Sequence, residues 1–534
     1  MHPKRLRSGR QAWAWIGWLL VLGCGAPRRP APAPADVRED PAAVELRAQV
    51  RAYCAAHEGD VLHELSEFLA LPNLASDEQN IRRNAEHLLA MLARRGIDAR
   101  LLELPGSPPV VYGELATSGA RRTLALYAHY DGQPVDPAAW HSDPWGPVLR
   151  DGTLESGAHE LAPGSTRASD GPDERRLYAR SASDDKAPIV AMLCALDALR
   201  ANGLAPAVNL EFFFEGEEEA GSPHLAALLR AHAAELHADG WLFCDGPVHA
   251  SRRMQVYFGA RGQVDLELTV YGPARALHSG HYGNWAPNPL ALLSELLCSM
   301  RGADGHVRIA GFYDGLEPLS ADARRAIAEA PDVESELQRA LAIARPEGDG
   351  ERLSERLLLP ALNLRGIQGG AVGAAAANAI PTGARASIDF RLVPPQTAES
   401  VRALVEAHVR GQGYEIVHAA PDLALRGAHE RVALLEWGSG YPAGRTPLDA
   451  PLARAVVTAV EESLGEPIVR QPTLGGSVPM FVFQRELGAP VVGLPIVNHD
   501  NGQHAADENL RLQNLWDGVV VFAGIMRRVD ADWP

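Results

Sequence analysis

The sequence predicts an α/β fold: a domain on a mostly parallel sheet flanked by helices, with an inserted α+β unit. Short apolar runs of strand length alternate with helical segments over the first half of the chain and return near its end. From about Met254 to Leu423 that alternation gives way to a different grammar of strands and charged helices. Imidazole and carboxylate side chains gather just after the apolar runs rather than scattering. No internal repeat links the parts.

Taken in order, the chain opens with Lys4, Arg5, Arg7 and Arg10, followed by the apolar run Ala12 to Gly23. Its twelve residues make about 18 Å of helix, short of a roughly 30 Å hydrocarbon core, which is the pattern of an export signal. Val21-Leu22-Gly23-Cys24 resembles a bacterial lipobox, implying cleavage before Cys24 and lipidation of its thiol. Residues 1–23 are thus expected to be a lipoprotein signal and 24–45 a Pro/Ala-rich tether (APRRPAPAPA). The expected location is the bacterial cell envelope, with the lipid anchor as the protein's only membrane contact.

Residues 46–253 are expected to form the first part of the catalytic domain. LHELSEFLAL and IRRNAEHLLAMLARRG read as helices, the second closing on Gly96. Thr123–Ala128, Val208–Phe214 and Gly240–Cys244 read as buried strands, and Ala187–Leu204 as a buried helix. Asp151–Arg176 is polar and aperiodic, a surface excursion. Residues 254–424 are expected to be an inserted unit of its own, with strands QVDLELTV, ARASIDFRLV and YEIVHA, helices PLALLSELL and ESVRALVEAHVRG, and a charged helical stretch Ala321–Leu357. Residues 425–534 complete the catalytic domain through the strand Val491–Ile496.

The chain carries 50 Lys+Arg against 67 Asp+Glu, a formal charge of -17. That balance excludes a nucleic-acid partner, which needs clustered cations to neutralise phosphates. Cys54, Cys194, Cys244 and Cys298 sit singly in apolar runs, as free buried thiols rather than a disulfide framework.

His129 and Asp131 follow the first strand, Glu215 to Glu219 the second, Asp245 the third, and His499 and His504 the last. In open α/β sheets the carboxyl edge is where ligands bind, so four strands delivering metal-capable groups there point to one site. Alone, EGEEE reads as a solvated acidic turn; following an apolar strand, it reads as part of the cluster. Imidazole and carboxylate without cysteine suit zinc or a similar divalent ion.

Eight segments in order, AHYDGQPVD, LYARSASDDKAP, EGEEEAGS, FCDGP, LHSGHYGN, DFRLVP, LGGSVP and GQHAADENL, resemble the M20 family of metallopeptidases, most closely its carnosinase and PepV-like dipeptidase branch. The resemblance implies two divalent metals, zinc with manganese or cobalt as alternatives, and hydrolysis of amide bonds in dipeptides or short peptides. It implies that His129 and Asp245 hold one metal, that Glu219 and His504 hold the other, and that Asp184 bridges them. Asp185 is the rival for the bridge, and His499 a spare imidazole. Asp131 is expected to orient the His129 ring, and Glu218 to be the general base. His278 resembles a lid histidine that reaches a neighbouring subunit's site, which implies a homodimer. Arg391 resembles the residue holding the substrate carboxylate, Asn378 a substrate contact, and Gly475, Gly476 and Ser477 a backbone cradle for the substrate terminus. Thr473 and Leu474 stand where the branch has Arg-Glu, so carnosinase specificity does not carry over; Ala187 stands where relatives have Gly. Two alternatives remain at this stage: an N-acyl amino acid deacylase or amidohydrolase, and a peptide-binding lipoprotein without catalysis.

Overall fold

The computed structural model describes residues 40–162, 164–165, 171–348 and 350–533. The signal segment, Cys24 and the tether up to residue 39 lie outside the described residues. The chain enters the fold through three helices, Pro41–Ala56, Glu58–Leu69 and Glu78–Arg94. Asp40 and Asp77 cap the first and third by accepting backbone N–H donors, and Gly96 leaves the third at φ 62°, a left-handed conformation suited to glycine.

The catalytic sheet has eight strands. At its heart Asn209–Glu215, Thr123–His129, Gly240–Phe243 and Val491–Gly493 run side by side and parallel. Asp98–Leu102 and Val110–Leu115 join antiparallel on one edge. Gln255–Tyr257 joins antiparallel on the other, with Val469–Gln471 parallel beyond it. The sheet is therefore mixed, with its parallel core where the expected strands fall. Parallel strands are covered on both faces, which is why these four read as nearly unbroken apolar runs. The helix Lys186–Ala201 is buried on almost every side, packed on Leu512–Arg528 and Glu58–Leu69, so its sequence lacks a polar stripe. The excursion after Arg150 returns at Arg176–Tyr178, which pairs with both Val148–Arg150 and Asn509–Arg511.

The lid is a five-stranded sheet in the order Ala361–Gln368, Gly383–Leu392, Gly262–Tyr271, Val432–Tyr441, Glu415–Val417. Val264, Leu266, Leu268 and Val270 alternate onto the face covered by helices Pro289–Met300 and Ala398–Gly411. One boundary needs correction. Val432–Tyr441 is an interior strand of this sheet, so the lid extends to Tyr441 rather than ending at 424. The polar stretch before it imitates a linker, while the strand's partners lie far away in sequence. The edge strand Ala361–Gln368 also falls outside the expected set, because most of its side chains face solvent and leave no period-two signal. The chain crosses into the lid at Gly259–Ala260 and back at Gly444–Arg445, and the two crossings pair antiparallel. A Cβ on Gly259 would sit 2.5 Å from the Gly444 carbonyl oxygen, so this seam requires glycine. Among the described residues no helix is long and apolar enough to cross a membrane.

Candidate metal centre

The four parallel strands end on one edge, and each delivers a polar group there. His129 is the last residue of its strand, Glu218 and Glu219 form a short turn after Asn209–Glu215, and Asp245 follows Gly240–Phe243. Asp184 stands just ahead of the helix Lys186–Ala201, and His504 lies in the loop after Val491–Gly493, at φ 62°. Two clusters result, His129–Glu218–Asp245 and Asp184–Glu219–His504, each with donor atoms within 4.8 Å of one another.

Asp184 joins them. Its Oδ1 lies 3.0 Å from His129 Nε2 and its Oδ2 3.2 Å from His504 Nε2. His504 Nε2 is also 3.3 Å from Glu219 Oε2. Asp185 points elsewhere, accepting the His129 backbone N–H at 3.2 Å, so the geometry selects Asp184 from the Asp-Asp pair. His499 joins neither cluster; its Nδ1 is buried without a partner. Asp131 lies 3.3 Å from His129 Nδ1 and accepts the Glu218 and Glu219 backbone N–H groups at 3.1 and 3.0 Å. One buried carboxylate thus sets both the imidazole and the acidic turn.

The electrostatics are those of a site built for cations. Burial and then the Asp184 charge push Glu219 up to about 7, and burial with the same charge pushes Asp245 up to about 6. Glu218 rises well above the carboxylate range through burial and the Asp245 charge. Burial works against charge on Asp184 and His129, yet the hydrogen bonds prevail: Asp184 is held low by both histidines, and His129 is raised by Asp131 and Asp184. Several carboxylates crowded out of water repel one another, and divalent cations relieve that repulsion. The donor set, two imidazoles and otherwise carboxylates, fits two such ions.

Other groups hold the site that sequence reasoning did not single out. Glu508, fully buried, accepts from Ser183 N, Ser183 Oγ and Asp184 N through one oxygen, and from Arg180 and Ser181 N through the other. Gln133 donates to Glu219 at 2.7 Å and Gln503 to Asp184 at 3.2 Å. Their sequence signal was a place inside AHYDGQPVD and GQHAADENL, with no role read from the residues themselves. Glu217, within the acidic run, instead caps the next turn by accepting from His224.

The lid's Arg391 donates Nη1 to Ser477 Oγ at 2.7 Å and Nε to Asp389 at 3.1 Å. Arg261 donates twice to the Gly475 carbonyl at 3.1 Å, with Gly476 exposed between the two. Tyr441 bonds Ser477 and is raised to about 12, chiefly by burial, with the Glu218 charge contributing. Arg261 and Tyr441 come from strand ends far away in sequence, and no motif flags them. His278 and Asn378 meet on an exposed ribbon, Leu277–His278 paired with Ala379–Ile380, and His278 belongs to neither cluster.

An α/β scaffold with two carboxylate-linked imidazole clusters on the carboxyl edge of its parallel strands defines a dinuclear metallohydrolase. The family described as Peptidase family M20/M25/M40 matches residues 125–528, and the chain belongs to it. The chain is 26% identical over 433 residues to the Cys-Gly metallodipeptidase of Schizosaccharomyces pombe, covering 78% of this chain and 81% of that one. It is 25% identical over 551 residues to the human Beta-Ala-His dipeptidase, covering 98% of each. Among solved structures, the M20 family metallo-carboxypeptidase Sso-CP2 from Sulfolobus solfataricus superposes with a TM-score of 0.71 at 27% identity, covering 88% of this chain and 99% of that one. Human carnosine dipeptidase 1 gives 0.70 at 24%, covering 91% and 99%, a likeness of fold.

Proposed function

We propose that this metallopeptidase is a dipeptidase, with zinc in both metal positions. The observation that carries the reading is the Asp184 carboxylate lying within 3.0 and 3.2 Å of His129 and His504, with Glu218 beside the first cluster. His129 and Asp245 would hold one ion and Glu219 and His504 the other, with Asp184 shared between them. When bound, the two ions polarise the scissile carbonyl and lower the pKa of the attacking water. Glu218 accepts the water's proton and returns it to the amine nitrogen as the C–N bond breaks. Arg391 and Ser477 hold the substrate carboxylate, the planar guanidinium matching its two oxygens. The two curated relatives, named for Cys-Gly and Beta-Ala-His, support dipeptides as the substrate class.

The same proposal places the protein in the bacterial envelope, anchored through Cys24, as a homodimer formed by the lid. The edge strand Ala361–Gln368 supports the dimer: Leu364 and Ile367 are exposed and its outer backbone edge has no neighbour in the lid sheet. A partner lid would also bring the His278–Asn378 ribbon to the neighbouring site. The test is metal content and amino-acid release from unmodified dipeptides, with and without chelator. Two metals per chain and chelator-sensitive release support the reading; two metals with release only from N-acyl amino acids would move the assignment to a deacylase; absence of bound metal would overturn it.

A further inference from the structure

The lid contains an apolar cavity that the chemistry above leaves unused. It occupies about 380 Å³ between the short helices Glu334–Ala340 and Leu353–Arg356 and the first residues of the edge strand. Leu337, Leu341, Ile343, Leu353, Leu357 and Leu359 line it. Leu341 is 63% exposed, Leu353 48% and Ile343 42%. Single exposed apolar side chains are ordinary, but three converging on one concavity, with charged groups at its ends, mark a binding pocket.

Three connections tie this cavity to the cradle. Arg261 lines the cavity and donates to the Gly475 carbonyl at 3.1 Å. Leu357 packs directly against Gly475, where an added Cβ would come within 3.0 Å of its Cδ2. Asn363 also lines the cavity and donates to Asp389 Oδ2 at 3.1 Å, the oxygen that accepts from Arg391. Arg391 in turn reaches Ser477. The apolar cavity and the carboxylate-holding groups therefore share walls.

We propose that this cavity receives the side chain of the substrate's carboxyl-terminal residue, making the enzyme selective for dipeptides that end in a bulky apolar residue. The inference rests on Arg391 and Ser477 as the carboxylate holders. In a dipeptide the C-terminal side chain springs from the carbon that bears the carboxylate. Fixing that carboxylate at Arg391 therefore fixes the side chain within a few bonds of the same wall. A Gly or polar residue there leaves the pocket's apolar surface in water, whereas Leu or Phe covers it.

The test compares kcat/KM for Gly-Gly, Gly-Leu and Gly-Phe on the metal-loaded full-length protein. Gly-Leu is expected to exceed Gly-Gly by about 10- to 100-fold, the range one large apolar side chain can supply. In the double variant Leu341→Asn/Leu353→Asn the Gly-Leu to Gly-Gly ratio falls toward one. In Leu341→Met/Leu353→Met it is retained. Both positions are exposed, and a ratio of two substrates on one preparation is insensitive to the folded fraction. Dipeptide turnover with a flat ratio in the wild type, or a ratio unchanged in the Asn variant, overturns the pocket and leaves the peptidase reading standing. No turnover of any dipeptide overturns both. A variant that becomes monomeric by light scattering while keeping its ratio identifies the cavity as an interface between copies, which also overturns the proposal.

Discussion

Glu508→Gln isolates the group that holds Asp184 in place. One carboxylate oxygen accepts two backbone N–H groups, from Ser183 and Asp184, and the Ser183 hydroxyl; the other accepts Arg180 Nη1 and Ser181 N. Glutamine has the same shape but turns one oxygen into a donor. With the amide nitrogen toward Ser183, the hydroxyl can rotate to accept, yet Ser183 N and Asp184 N lose their acceptor. With the nitrogen the other way, Arg180 and Ser181 N lose theirs. Either orientation orphans two buried donors, at about 1–3 kcal/mol each, or about 2–6 kcal/mol together. Glutamine is neutral in either orientation, so the buried Arg180 also loses its counter-charge in both, which sets the cost at about 3–5 kcal/mol. The expected outcome is a shift of this size in the denaturant unfolding of the metal-free protein. Metal affinity should fall by about 10- to 100-fold, the usual consequence of losing a group that orients a metal ligand. The assays are guanidinium unfolding and competitive zinc titration. Unfolding unchanged to within about 0.5 kcal/mol, with both metals bound as tightly as before, would refute the argument that Glu508 fixes Asp184.

Further outcomes follow from the same geometry. Glu218→Gln is expected to lower kcat by about 10²- to 10⁴-fold while two metals per chain remain by elemental analysis; loss of metal would reassign Glu218 as a ligand. The metal-free protein should grow less stable as pH rises from about 4 to 8. Glu219, Asp245 and Glu215 have folded pKa values raised to about 7, 6 and 8, and raised acids stabilise below their unfolded pKa and lose that contribution through the folded one. The raised His129 and His504 act in the same direction, whereas the lowered Asp184 contributes only in stronger acid, so thermal melts at pH 5 and pH 8 check the sign. Added zinc should raise the midpoint more at pH 8, because protons compete with the metal in acid. Arg391→Ala should raise KM for dipeptides more than it lowers kcat, read from steady-state kinetics. Ile367→Lys on the exposed edge strand should give a monomer by light scattering if the lid forms the dimer.

The strand ends were legible because buried parallel strands write themselves as apolar runs, and a cluster of His, Asp and Glu after each run has no reason to exist in a solvated loop. His129, Asp184, Glu218, Glu219, Asp245 and His504 come together as their positions suggested. What stayed hidden depends on contacts distant in sequence. The choice between Asp184 and Asp185 is made by which carboxylate faces His504 and which faces the His129 backbone. Gln133, Gln503, Arg261 and Tyr441 act through one or two hydrogen bonds each, and no local pattern announces them. The strand at Val432–Tyr441 was missed because its place between Gly262–Tyr271 and Glu415–Val417 is a property of the sheet.

The first cluster uses residues no later than Asp245, while the second needs His504, and Asp184 needs Glu508 to hold it. A growing chain on the ribosome therefore carries three members of one cluster long before its bridge can be secured. The loop from Asn498 to Arg511 acts as a clasp that arrives late, just ahead of the helix Leu512–Arg528, with Asn509–Arg511 zipping onto Arg176–Tyr178 across more than three hundred residues of sequence. Until that clasp closes, His504 is away from Asp184 and Glu219, and Asp184 is without its Glu508 acceptor.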